Sequence, residues 1–142
     1  MTKTELIALG DIKVAPEQNF LILDDDSDMI DIICDSLDYI GFTGKLLKAQ
    51  TIAQANKHIE EETIHYILSD WNLPDGDGLS FLKTIRNSEI HSNTPFIMIS
   101  GQTGQDSSML SLANGANGFL TKPFTIEIFV EKLSSGWKSK TT

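Results

Sequence analysis

Tyr66-Ile67-Leu68-Ser69-Asp70-Trp71-Asn72-Leu73-Pro74-Asp75-Gly76-Asp77-Gly78 is the stretch on which the reading of this chain turns. An apolar run leads straight into Asp70, and a turn rich in Pro and Gly follows at once. The pattern predicts a short buried strand that carries one carboxylate to its C-terminal tip and stops there. An aspartate here can also do no more than open a turn. What decides between the two is that other strands of the chain also end in chemically useful residues. Asp70 is therefore the candidate nucleophile.

Upstream, Phe20-Leu21-Ile22-Leu23 is a second continuous apolar run, as in a strand covered on both faces of a parallel sheet, and it ends in Asp24-Asp25-Asp26-Ser27-Asp28. Ile30, Ile33, Leu37 and Ile40 then recur at helical spacing, with Gly41 as the stop. Lys45-Leu46-Leu47-Lys48 reads as a weaker, edge strand, and Ile52, Ala55 and Ile59 mark a second amphipathic helix. Downstream of Asp70, Leu79, Leu82 and Ile85 stripe a third helix, and Pro95-Phe96-Ile97-Met98-Ile99 is a buried strand ending at Ser100-Gly101. Met109, Leu112, Ala113 and Ala116 are expected to line a fourth helix, stopped by Asn114-Gly115. Gly118-Phe119-Leu120 leads as a short strand into Thr121-Lys122-Pro123, and a last helix carries Ile126, Phe129, Val130, Leu133 and Trp137 on one face.

Five strands alternating with five helices predict an α/β fold: a doubly wound, flavodoxin-like, five-stranded parallel sheet with helices on both faces. In the strand order 2-1-3-4-5 of that fold, ligands bind beyond the C-terminal strand ends at the switch point. The residues at those ends are Asp24 and Asp25, Asp70, Ser100 and Lys122, all on one rim. The expected organisation is an N-terminal extension over residues 1–18, one domain over 19–137 and a tail over 138–142. For residues 1–18 a short packed helix and a loose arm both remain open.

With 142 residues, 40% of them hydrophobic, the chain suits one globular domain with a real core. No apolar run has the length of a membrane span, and the N-terminus lacks the pattern of a secretory signal. The single cysteine, Cys34, excludes an internal disulfide framework and fits a reducing compartment, so a cytoplasmic location is expected. Its place in a helical apolar pattern reads as core filler. Net charge is −9, with no cluster of Lys or Arg, which argues against direct contact with nucleic acid. His58, His65 and His91 are too far apart in sequence to suggest a local metal site, and read as surface or strand-edge residues.

Asp24, Asp25 and Asp70 are expected to converge at the rim. Two unit charges about 4 Å apart repel by roughly 4 kcal/mol at a protein-like dielectric, so such a cluster holds a proton or binds a cation. Helix capping accounts for Asp26 or Ser27, but not for the two carboxylates before them. Oxygen-only ligands at an open site suggest Mg²⁺. Asp24-x-Asp26-x-Asp28 begins like a calcium loop, but Met29 stands where the turn needs Gly and Asp35 where the bidentate Glu belongs. Beside a divalent ion Asp70 is placed to attack phosphorus, with Lys122 supplying a second positive charge and Ser100 a hydrogen bond.

The run from Ile67 to Leu79 around Asp70, with Asp24-Asp25 after the first strand, Ser100 after the fourth and Lys122-Pro123-Phe124 after the fifth, resembles a response-regulator receiver domain. It is most similar to the stand-alone chemotaxis-type regulators, over residues 19 to about 137. The resemblance implies a phosphoprotein of a two-component phosphorelay, a signalling switch rather than a dedicated enzyme. In it Asp70 is the phosphoacceptor, charged by a sensor histidine kinase or histidine phosphotransfer protein. Asp25, Asp70 and the backbone carbonyl of Asn72 ligate Mg²⁺, with Asp24 acting through water. Lys122 contacts the phosphoryl group, and the Lys122–Pro123 bond is cis. Ser100 takes the switch hydroxyl position, more often Thr in the family, and Phe119 the coupled aromatic one. Asn72 and Gln102 occupy positions that tune the aspartyl-phosphate lifetime. The face of the fourth helix, fifth strand and fifth helix then changes its affinity for a protein partner.

A haloacid-dehalogenase-type phosphatase, with Asp24 as nucleophile and Asp26 as general acid, is the main alternative. Against it, the last strand runs into Thr121-Lys122-Pro123-Phe124 with no acid before Glu127. The complete set of rim residues argues against a pseudo-receiver, and the carboxylates after the first strand argue against a flavin carrier, whose phosphate needs amides and hydroxyls there. No output segment follows Trp137, so the sequence reads either as a single-domain regulator or as the receiver of a larger protein.

Overall fold

Apolar runs too short for helices set the sheet, and the stripes between them set its covering. The computed structural model describes residues 5–101 and 105–140. A hairpin of β1 (Ile7–Leu9) and β2 (Ile12–Val14) comes first, then β3 (Phe20–Leu23), α1 (Ser27–Ile40), β4 (Leu46–Ala49) and α2 (Ile52–Glu61). There follow β5 (Tyr66–Asp70), the two-residue strands β6 (Asn72–Leu73) and β7 (Gly76–Asp77), and α3 (Gly78–Arg86). β8 (Phe96–Ser100), α4 (Gln105–Ala113), β9 (Gly118–Thr121) and α5 (Ile126–Lys140) complete the chain.

Five of these strands form one parallel sheet in the order β4-β3-β5-β8-β9, the doubly wound order expected. Successive side chains on a strand point to opposite faces, so the continuous apolar runs feed two cores. On one face Phe20, Ile22, Tyr66, Leu68, Ile97 and Ile99 pack with Ile33 and Leu37 of α1 and Phe129 and Leu133 of α5. On the other, Leu21, Leu23, Ile67, Phe96 and Met98 pack with Ala55 of α2 and Phe81, Leu82 and Ile85 of α3. Gly41 ends α1 in the left-handed region at φ 118°, its N–H donating to the carbonyls of Leu37 and Asp38.

Three expectations need correction. Residues 7–14 form neither a helix nor a loose arm but a hairpin, turned at Gly10 with φ +64° in a two-residue loop. Its Ile7, Ile12 and Val14 pack against the α1–α5 core, Leu9 is buried, and the Leu9 carbonyl accepts a hydrogen bond from Ser134 Oγ at 3.2 Å. Of the apolar stripe expected for the fourth helix only Ala116 is buried, and it lies beyond the helix, which ends at Ala113. Met109 and Leu112 are 66% and 50% exposed, while the helix lays Ser111 against the body of the domain, its hydroxyl donating to the Ser107 carbonyl. Small serines permit that close approach and leave the larger side chains outside. His91, expected at the surface, is buried, with Nδ1 2.8 Å from Thr94 Oγ1.

Candidate functional site

The register of the sheet builds the site. Leu23 of β3 lies opposite Ser69 of β5, so the next residues, Asp24 and Asp70, leave the sheet side by side. Asp24 is only 1% exposed, and its N–H is held by the Ala49 carbonyl at 3.0 Å. Its Oδ1 accepts from the N–H of Asp26 at 2.9 Å, while Oδ2 takes an ion pair from Lys122 Nζ at 2.6 Å. The same ammonium stands 3.4 Å from Asp70 Oδ2, and Asp70 Oδ1 accepts the N–H of Trp71 at 2.7 Å. Both carboxylates are thereby oriented by backbone amides and share one cation.

Asp25, one residue beyond Asp24, stays exposed, and Asp24, Asp25 and Asp70 each bring a carboxylate oxygen within 4.8 Å of the others. Hard oxygen donors at a half-open rim are the chemistry that Mg²⁺ prefers, so the residues present fit a divalent cation. The electrostatics agree. Burial first, and the neighbouring Asp24 charge second, raise the Asp70 pKa, against the pull of Lys122 and the Trp71 N–H. Burial works against the Lys122 ammonium, but its hydrogen bond and charge interaction with Asp24 and then Asp70 outweigh that, and its pKa goes up. The site holds more negative charge than one lysine balances.

Lys122 arrives from β9, where its N–H donates to the Ser100 carbonyl at 2.9 Å and its peptide bond to Pro123 is cis. Ser100 closes β8 and is buried, one position beyond Ile99, which pairs with Asp70. Phe119 is half-buried on β9, beside Met98 in the register and packed on the α2–α3 core. Asn72 is exposed at the start of β6. Gln102 lies outside the described residues.

Asp26 does not present a free carboxylate to this cluster. It caps α1, accepting the N–H of Asp28 at 2.9 Å, which also ends the calcium-loop reading. Sequence reasoning missed Asp75, whose two carboxylate oxygens accept the N–H groups of Ile52 and Ala53 at the start of α2. Within a Pro-Asp-Gly turn it reads as a turn residue only, and no local signal points across to α2.

A doubly wound sheet thus gathers three acids and one lysine at its C-terminal rim, a set able to hold a divalent cation beside a buried carboxylate. The chain belongs to the response regulator receiver domain family, whose model matches residues 20–134. It is 29% identical over 113 residues to a chemotaxis protein CheY homolog of Campylobacter jejuni, covering 80% of this chain and 87% of that protein. The structure of a CheY-like receiver domain protein from Methanospirillum hungatei superposes with a TM-score of 0.76 at 26% identity, over 87% of this chain and 96% of the other. Chemotaxis response regulator CheY4 of Vibrio cholerae gives 0.76 at 25% identity, over 84% and 98%. The function is thus that of a receiver in two-component signalling, and the phosphatase alternative finds no support.

Proposed function

We propose that Asp70 is the phosphoacceptor and that Asp24, Asp25, Lys122 and Ser100 serve its chemistry. The observation that carries this reading is the shared ion pairing of Lys122 with Asp24 and Asp70 inside a carboxylate cluster. A carboxylate oxygen of Asp70 bonds to phosphorus as the bond from phosphorus to the donor's imidazole nitrogen, or to an acyl oxygen, breaks. The departing group leaves with the electron pair. Asp25, Asp70 and the Asn72 carbonyl would hold Mg²⁺, with Asp24 acting through water, and the ion when bound would offset charge on the phosphoryl oxygens. Lys122 contacts those oxygens from the other side. Later attack of water returns Asp70 to a carboxylate, with Asn72 and Gln102 setting the lifetime.

The phosphodonor in this reading is a sensor histidine kinase or histidine phosphotransfer protein. Phosphorylation draws the Ser100 hydroxyl inward and Phe119 with it, which alters the face of α4, β9 and α5. Met109, Leu110 and Leu112 of α4 and Ile128 of α5 are exposed apolar side chains on these elements, available to a protein partner. The lone thiol, buried on α1, suits a reducing compartment, and we place the chain in the cytoplasm.

Incubation with Mg²⁺ and acetyl phosphate, read by intact mass, tests the reading. Wild type is expected to gain one phosphoryl group and Asp70→Asn none. Turnover of phosphate esters without an adduct, abolished in Asp24→Asn, contradicts it.

A further inference from the structure

We propose that Asp75 is a positioning residue for the cation site, holding the segment between β5 and α3 against the first turn of α2; this rests on the assignment of Asp70 and Asn72 above. Asp75 Oδ1 accepts the N–H of Ile52 at 2.8 Å and Oδ2 that of Ala53 at 3.0 Å. These are the first two residues of α2, whose N–H groups have no partner within the helix. The helix already has its own cap, since Thr51 Oγ1 accepts the N–H of Gln54 at 3.1 Å. Asp75 serves the two N–H groups that Thr51 leaves over, and because it reaches 22 and 23 residues along the chain its bonds also tie down the segment that supplies it.

That segment is tied at both ends. At its base the Gly78 N–H donates to the Trp71 carbonyl at 2.6 Å, and a Cβ on Gly78 would collide with the Asp70 carbonyl oxygen. At its tip Gly76, with φ +155°, approaches α2 so closely that a Cβ would lie 2.8 Å from Ile52 Cδ1. Between the two ties, Asn72 pairs with Asp77 across the β6–β7 ladder. Asp75 thus pins the far end of a closed loop whose near end carries Asp70 and Asn72. Freeing the tip releases the Asn72 backbone relative to the carboxylates, and a hard cation that needs both is bound less tightly.

Mg²⁺ titration followed by tryptophan emission tests this. Trp71 adjoins the site, its backbone N–H donating to the Asp70 carboxylate, whereas Trp137 lies in the α1–α5 core against Phe20, Phe42 and Tyr66. We expect Asp75→Ala to weaken Mg²⁺ binding about 10-fold, and Asp75→Asn, which keeps one acceptor oxygen, to lose less. Thr51→Ala, which removes the other cap of the same helix end, is expected to lower the Tm while leaving Mg²⁺ affinity unchanged. Wild-type affinity in Asp75→Ala, or an equal loss in Thr51→Ala, overturns the proposal and leaves Asp75 a helix cap. A wild-type protein that does not respond to Mg²⁺ overturns the site assignment itself, and this inference with it.

Discussion

Asp70 is held in a state that works against the stability of the fold at neutral pH. Its folded pKa lies above the ordinary 3.8, through burial and then through Asp24. The sign follows: the folded chain favours the protonated group, so stability is greatest below 3.8 and is lost as pH rises through the folded value. At neutral pH the ionised carboxylate therefore costs stability. Asp70→Asn is expected to raise the Tm by a few degrees at pH 7 in chelator, with the difference shrinking when Mg²⁺ is added and vanishing toward acid pH. A lower Tm in chelator would show that the Lys122 pairing outweighs the strain. His91 behaves oppositely. Burial, and then the charge of Arg86, depress its pKa below 6.5, so its contribution is present above 6.5 and is lost as pH falls through the folded value. Thermal melts of His91→Gln are expected to lose less stability than wild type between pH 7 and pH 5. A wild-type-like loss would contradict this.

At the level of elements, α5 shows how a local preference yields to packing. Gly136 sits inside a helix, where alanine is ordinarily better by about 1 kcal/mol. Here a Cβ would strike the Tyr66 hydroxyl, which donates to the Leu133 carbonyl at 3.1 Å within the cluster of Phe20, Phe42 and Trp137. Gly136→Ala is therefore expected to destabilise by roughly 1–3 kcal/mol in denaturant melts; stabilisation would show that α5 shifts freely. The strands of the main sheet were legible because each is a short apolar run ending in a turn or a polar residue. The α1 and α5 faces were legible because their stripes pack on the same core. The α4 face was not, since periodicity alone does not say which side of a helix meets the domain. There the inward contact is made by Ser111, while Met109 and Leu112 face water. The hairpin was missed because Ile7-Ala8-Leu9-Gly10-Asp11-Ile12 is too short for a clear alternation, although Gly10 is the glycine that its turn requires.

For the whole molecule, topology does what no single motif does. Parallel pairing of β3, β5, β8 and β9 brings residues 24, 70, 100 and 122 to one rim, and their spacing in sequence was enough to foresee that gathering. What the sequence did not reveal is how the rim is braced. The link from Asp75 to α2 and the shared Lys122 ammonium are contacts between distant segments, visible only once the sheet is assembled. The net charge of −9 adds to the same picture, because an acidic chain that must receive a phosphoryl dianion needs local cations where the group lands. The measurement that tests this most directly is to locate the phosphoryl group by residue. Wild-type protein phosphorylated in Mg²⁺ is reduced with borohydride, which converts an aspartyl phosphate to homoserine, and the peptides are sequenced by mass spectrometry. The expected result is homoserine at position 70 alone, and none when Mg²⁺ is chelated. Homoserine at position 24 or 25, or a phosphoryl group retained on another residue, would contradict it.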